Sequence, residues 1–234
     1  MISFTLGEPN ARIPDDLTGD EHRQLLGWIG LLLPFILIGI AIWRDGVAEW
    51  RNLDSISAYY YTGAVAAFVG MLVAFALFLL TYHGYDNAHN KHDRIVAGTA
   101  GAAALLVALF PTAAPSGVTA LSWWRPWVGF VHYAAATTLF AMFATFALWL
   151  FRLRKDGKAR LADGHDWTYL VCGLVIVACI LLSGYNVWNG APIFWPESFA
   201  LIAFSVSWLV KGYAVDQALD RARRLFGLKS VSSS

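Results

Sequence analysis

The sequence predicts an all-α polytopic membrane protein, a bundle of six transmembrane helices with both termini cytoplasmic. Three observations predict it. Hydrophobic residues make up 58% of the 234 positions and charged residues only 14%, against about a quarter in an ordinary soluble domain. Six apolar runs approach the ~20 residues that a spanning helix needs. Lys and Arg are divided very unevenly between alternate loops. The same composition excludes two other classes. A net charge of +1 leaves no basic footprint for nucleic acid. An aromatic content of 15% with so little net charge excludes a disordered chain.

Residues 1–24 form a polar cytoplasmic segment with Glu8, Asp15, Asp16, Asp20 and Glu21. A cleavable secretory signal starts basic, so none is expected here. Thr18-Gly19-Asp20-Glu21 reads as a capping box that starts a helix, with Thr18 as cap and Glu21 reaching back. The transmembrane domain covers 25–213, with spans at 25–43, 60–82, 95–113, 127–151, 167–185 and 194–213. Most ends carry Trp or Tyr, as an interfacial belt requires. Pro34 is a central breaker in the first span, and the third is rich in Ala and Gly and closes near Pro111. Rows of small residues predict close helix contacts: Ala66, Gly70 and Ala74 in the second span, and Ala97, Gly101 and Leu105, reinforced by Gly98 and Ala102, in the third. Thr137, Ala141 and Thr145 form such a row in the fourth. Cys172 and Cys179 lie two helical turns, roughly 10 Å, apart, too far for a disulfide. Residues 214–234 are a basic tail whose 216–228 stretch is amphipathic and suits the inner leaflet.

Orientation follows from the cations. Arg12, Arg23, Lys91, Arg94, Arg152, Arg154, Lys155, Lys158, Arg160, Arg221, Arg223, Arg224 and Lys229 fall on one side; Arg44, Arg51 and Arg125 fall on the other. The cation-rich side is the cytoplasmic one. Lys211 lies inside the last span, near that side, where it is expected to snorkel or to join an ion pair within the bundle.

The outward side collects the chemistry. Asp54, Ser57, His132 and Glu197 come from different loops and helix ends on that side. If they meet, Ser57 is a nucleophile, His132 its base, and Asp54 or Glu197 the group that orients the base. No G-x-S-x-G elbow fixes that geometry. The alternatives stay open: Glu197 follows Pro196 at a helix start, a favourable place for a carboxylate, His132 can donate to a carbonyl, and Ser55 or Ser57 can cap the second span. Tyr60, Tyr61, Tyr185, Asn186 and Trp195, with His132 and Glu197, form an aromatic and polar rim suited to a ligand. On the inward side His83, His89 and His92 are the candidates for a metal, though a solvated loop explains them as well. No metal and no cofactor is expected.

Five short stretches carry a family resemblance. They are Ser55-Ile56-Ser57-Ala58-Tyr59-Tyr60-Tyr61-Thr62, Gly84-Tyr85-Asp86, Phe110-Pro111-Thr112, Val131-His132-Tyr133-Ala134-Ala135-Ala136 and Ser207-Trp208-Leu209-Val210-Lys211-Gly212. Over about residues 25 to 213 the chain resembles a group of uncharacterised bacterial six-helix membrane proteins, and its layout resembles the wider DRAM-like superfamily. There a His near the start of span four recurs, and His132 matches it. The resemblance implies six helices, a bacterial inner membrane and a link to lipids or membrane organisation. It supplies no catalytic residues.

The expected function is therefore binding of a lipid or other amphiphile, or service as an accessory subunit of a membrane complex. A small intramembrane hydrolase or transferase is the alternative. A transporter is disfavoured, because the middles of the spans are almost entirely apolar. The expected partners are membrane lipids, other membrane subunits or further copies of the chain.

Overall fold

The computed structural model describes residues 15–46, 53–84, 87–153 and 164–212. Among them are six α-helices: α1 (Asp15–Asp45), α2 (Val65–Leu80), α3 (Asn90–Leu109), α4 (Pro126–Leu148), α5 (Gly164–Trp188) and α6 (Phe194–Lys211). Two 3-10 turns, Ile56–Tyr61 and Leu150–Arg152, precede α2 and follow α4. The described residues contain no strand. The tail at 214–234, most of the basic fourth loop and the pair Tyr85-Asp86 lie outside the described residues.

Each helix packs on the next, and α6 closes the ring against α1. The contacts between helix ends show that neighbours alternate in direction. At one end the His22 imidazole donates to the Phe78 carbonyl at 2.6 Å, Gln24 donates to the Gly212 carbonyl at 2.7 Å, and Arg152 forks onto Asp166 at 2.7 and 3.2 Å. At the other end the Gly63 amide meets Asp45 at 2.7 Å, the Ile56 amide meets Glu197 at 2.7 Å, and Tyr61 meets the Thr112 carbonyl at 2.8 Å. Below, these are the Lys211 end and the Glu197 end.

Four stretches are long and apolar enough to cross a membrane: Gly19–Asp45, Asn90–Leu109, Pro126–Arg152 and His165–Trp188. The 16 residues of α2 reach ~24 Å, short of the ~30 Å hydrocarbon core. α6 carries Glu197 in its first turn and Lys211 in its last, which lowers its apolar character.

Local chemistry moves several boundaries from where hydropathy puts them. α1 already runs through Thr18, so the Thr18–Glu21 box lies inside the helix rather than at its start. α1 is also continuous through Pro34. A proline there has no amide to donate, so the Gly30 carbonyl lacks its usual intrahelical partner. Tyr60 and Tyr61 are not in α2. Ser55, extended at φ −154°, accepts the Ala58 amide at 3.1 Å and starts a separate 3-10 turn. An aromatic run is apolar whether it enters a helix or a turn, so hydropathy alone cannot separate the two. α3 begins at Asn90, and the extended Phe110 before Pro111 ends it. Pro126 occupies the first turn of α4, where its missing amide costs nothing.

Close packing uses glycines, but not all of the expected rows. A Cβ on Gly101 would stand 2.7 Å from Leu80 and 2.9 Å from the Ala76 carbonyl, so α2 and α3 meet there with nothing to spare. Ala66 and Gly70, by contrast, face outward, and a Cβ on Gly70 or Gly98 would meet nothing within 4 Å. The α2 row is therefore no helix–helix seam. The reason is angular: the buried face of α2 is set by Phe68, Leu72, Phe75, Ala76 and Leu79, and the small residues lie off it.

Aromatic rings fill the centre. Phe143 of α4 stacks on Phe204 of α6 with centroids 3.6 Å apart, and Phe75 of α2 meets both edge-on at 5.7 and 5.6 Å. Toward the Lys211 end, the fully buried Trp208 touches Tyr82, Phe146 and Phe151 at 4.9, 5.2 and 5.0 Å. Such pairs add ~0.5–1.5 kcal/mol each beyond the area they bury. That matters in lipid, where packing rather than the hydrophobic effect holds helices together.

Candidate functional site

At the Glu197 end, a loop and a helix start cap each other. The Asp54 carbonyl accepts the amides of Ile193 and Phe194 at 2.6 and 3.0 Å, closing the open N-terminus of α6. In return the Glu197 carboxylate accepts the Ile56 amide at 2.7 Å, closing the start of the 3-10 turn. This exchange places Glu197, half-buried, beside Ser57.

Two cavities meet at Glu197. The first is interior, about 50 Å³, walled by Leu72, Phe75, Leu139 and Phe143, with Gly30, Ser57 and Glu197 supplying its polar edge. It has room for a few waters or the last carbons of an alkyl chain. The second is a lateral groove of about 330 Å³ between α4, α5 and α6, lined by Thr137, Phe140, Cys179, Gly184, Val187 and Glu197 among others. Its size falls in the range of small-molecule sites. Glu197, Ala136 and Phe140 line both, so one carboxylate stands where groove and interior adjoin.

The other outward candidates take different places. His132 is buried at 2% exposure, and its Nδ1 donates to the Phe110 carbonyl at 2.6 Å, which caps the end of α3. It forms no hydrogen bond or ion pair with Ser57, Asp54 or Glu197, and it lines neither cavity. The Asp54 side chain is exposed, and that residue acts through its carbonyl. The Ser57–His132–carboxylate relay is thus not assembled; only Ser57 and Glu197 come together. Tyr61 donates to the Thr112 carbonyl at 2.8 Å, and Thr112 donates to the Tyr133 hydroxyl at 3.1 Å. Tyr60 packs on Phe68. Asn186 donates to the Pro192 carbonyl at 2.7 Å and shapes the turn at Gly190, whose φ of +67° suits glycine. Tyr185 and Trp195 are open to the surroundings at 67% and 57% exposure. Tyr59 is fully buried, and among the described residues its hydroxyl has no partner.

The Lys211 end holds a polar cluster that sequence reasoning did not assemble. Lys211, only 4% exposed, donates to the carbonyls of Phe151 and Leu153 at 3.0 and 2.9 Å and lies over the rings of Phe151 and Tyr169. It closes the chain end after α4 rather than snorkelling to solvent. Arg23, also buried, pairs with Asp20 at 2.7 Å and donates to the Tyr82 hydroxyl at 3.3 Å. Asp93 is buried facing Lys211 and Arg23, packed against Gly84. The signal was present as three ionisable residues near span ends; the fold alone reveals that they share one interior. His89 and His92 lie tilted to one another and meet Trp149 edge-on, and His83 donates to the Thr81 carbonyl at 2.7 Å. Among the described residues, no three His, Cys, Asp or Glu side chains form a group that could hold a metal ion.

No protein-family model matches this chain, and no curated protein or solved structure matches it either.

Proposed function

We propose that the chain is a six-span membrane protein with both termini cytoplasmic, and that it binds a lipid or other amphiphile in the lateral groove beside Glu197. One observation carries the reading: a carboxylate stands at the junction of an open apolar groove and an apolar interior cavity. Glu197 sits in the first turn of α6, close to the interface, and a carboxylate there beside empty apolar space fits part of the pattern of functional ionisable groups in membranes. An amphiphile suits both features, its polar group at Glu197 and its chain along Phe140 and Val187. The alternating direction of the six helices supports six crossings, with the 3-10 turn lengthening α2 at the Glu197 end. The placing of the cytoplasm at the Lys211 end rests on the excess of Lys and Arg there, and the bacterial inner membrane rests on the resemblance to six-helix bacterial proteins. Binding is favoured over hydrolysis because His132, the base of the expected relay, stands apart from Ser57: it caps the end of α3 and lines neither cavity.

Gly184 gives a clean test. It lines the groove, and a Cβ there would meet nothing within 4 Å. A Gly184→Leu substitution fills the groove without straining the helix. Native mass spectrometry from mild detergent should show a defined amphiphile adduct on the wild type, lost in Gly184→Leu and weakened in Glu197→Gln. An adduct retained unchanged in both variants overturns the proposal.

A further inference from the structure

A second groove, of about 440 Å³, opens between the end of α2 and the start of α3, at the Lys211 end. Its walls change character along its length. Leu80 and Ile95, exposed at 44% and 55%, form the apolar part. Lys91, Arg94, His83 and Asn90 form the polar part. Lys91 and Arg94 stand three residues apart, on neighbouring positions of one helix face. Both are exposed, and neither has an ion-pair partner among the described residues. His83 uses Nδ1 to donate to the Thr81 carbonyl, which leaves Nε2 for another contact. Among the described residues no carboxylate lines this groove, and the nearest acid of the same helix turn, Asp93, is buried away from it against Gly84.

We propose that this groove is a binding site for the phosphate of an anionic membrane lipid, with Lys91 and Arg94 holding the phosphate and the acyl chains lying against Leu80 and Ile95. Two cations that meet no carboxylate among the described residues suit an anion. The apolar wall below them selects an anion that carries alkyl chains over a free one. Arg supplies a fork for two phosphate oxygens and Lys a point charge, the usual division of labour at phosphates. The site is separate from the Glu197 groove and rests only on the reading of the chain as a membrane protein with this end at a leaflet surface.

The test uses the full chain in nanodiscs containing phosphatidylglycerol or phosphatidylcholine, with lipid retention read by native mass spectrometry. The wild type should retain phosphatidylglycerol selectively. Lys91→Gln/Arg94→Gln should weaken that retention about tenfold or more, since each surface cation contributes ~1 kcal/mol toward an anionic leaflet. Both side chains are exposed, so the double variant should keep the wild-type helical circular dichroism and melting temperature. Millimolar inorganic phosphate should not displace the lipid. Equal retention of both lipids, or equal retention by wild type and double variant, overturns the proposal. Displacement by inorganic phosphate alone makes the groove a site for a soluble phosphate and overturns the lipid assignment. A loss seen in Gly184→Leu but not in the double variant assigns the adduct to the Glu197 groove, which refutes this site while sparing the other.

Discussion

Glu197 and Lys211 stand at opposite ends of α6, and their surroundings differ in what is left open. Lys211 is shut in: two carbonyls take its protons, two rings cover it, and Asp93 balances its charge. The Glu197 carboxylate accepts one hydrogen bond, from the Ile56 amide, and borders two cavities. A buried cation held between fixed carbonyls and rings holds a structure together. A half-buried carboxylate with spare acceptor capacity beside empty apolar space can receive something. The contrast marks Lys211 as a structural group and supports the proposal of a binding site at Glu197.

Substitutions test that division, and the largest effect belongs at the closed end. Lys211→Ala leaves two carbonyls without their donor and removes one of the cations facing Asp93, a loss of about 3–5 kcal/mol in unfolding measured in detergent. A change under ~1 kcal/mol would show that the cluster is not structural. Gly84→Ala comes next. Gly84 sits at φ +69°, and a Cβ there would stand 2.6 Å from that of Asp93. The strain and the clash should together cost about 2–3 kcal/mol by the same measurement.

His132→Ala sharpens the comparison from the other side. It orphans the Phe110 carbonyl and should cost about 1–2 kcal/mol, yet leave any amphiphile adduct in place. Loss of the adduct at unchanged stability would instead return His132 to the binding site. Glu197→Gln should have the smallest effect on stability, below ~1 kcal/mol, because the amide oxygen still accepts from Ile56. Its effect should be on the ligand.

Much of this was legible before the fold. Long apolar runs located the helices, and Pro111 marked a real end. Glu197 stood out as an acid at a helix start, and the carbonyl-donor role of His132 was one of the open alternatives. What the sequence withheld was the third dimension. Ser55 and Thr62 bound a 3-10 turn whose tyrosines hydropathy assigns to a helix. The small-residue row of α2 fits a packing motif, but the larger side chains choose the buried face. The grouping of Arg23, Asp93 and Lys211 joins residues far apart in the chain. The lateral groove exists only because of how three helices splay.

The most direct measurement is photolabelling of the reconstituted protein with a diazirine-bearing lipid, followed by peptide mapping. The account predicts labelling concentrated on groove positions such as Thr137, Cys179 and Val187, and suppressed by Gly184→Leu. Labelling spread evenly over the outward face of α5, at Leu174 and Leu181 as much as in the groove, and unmoved by Gly184→Leu, would contradict it.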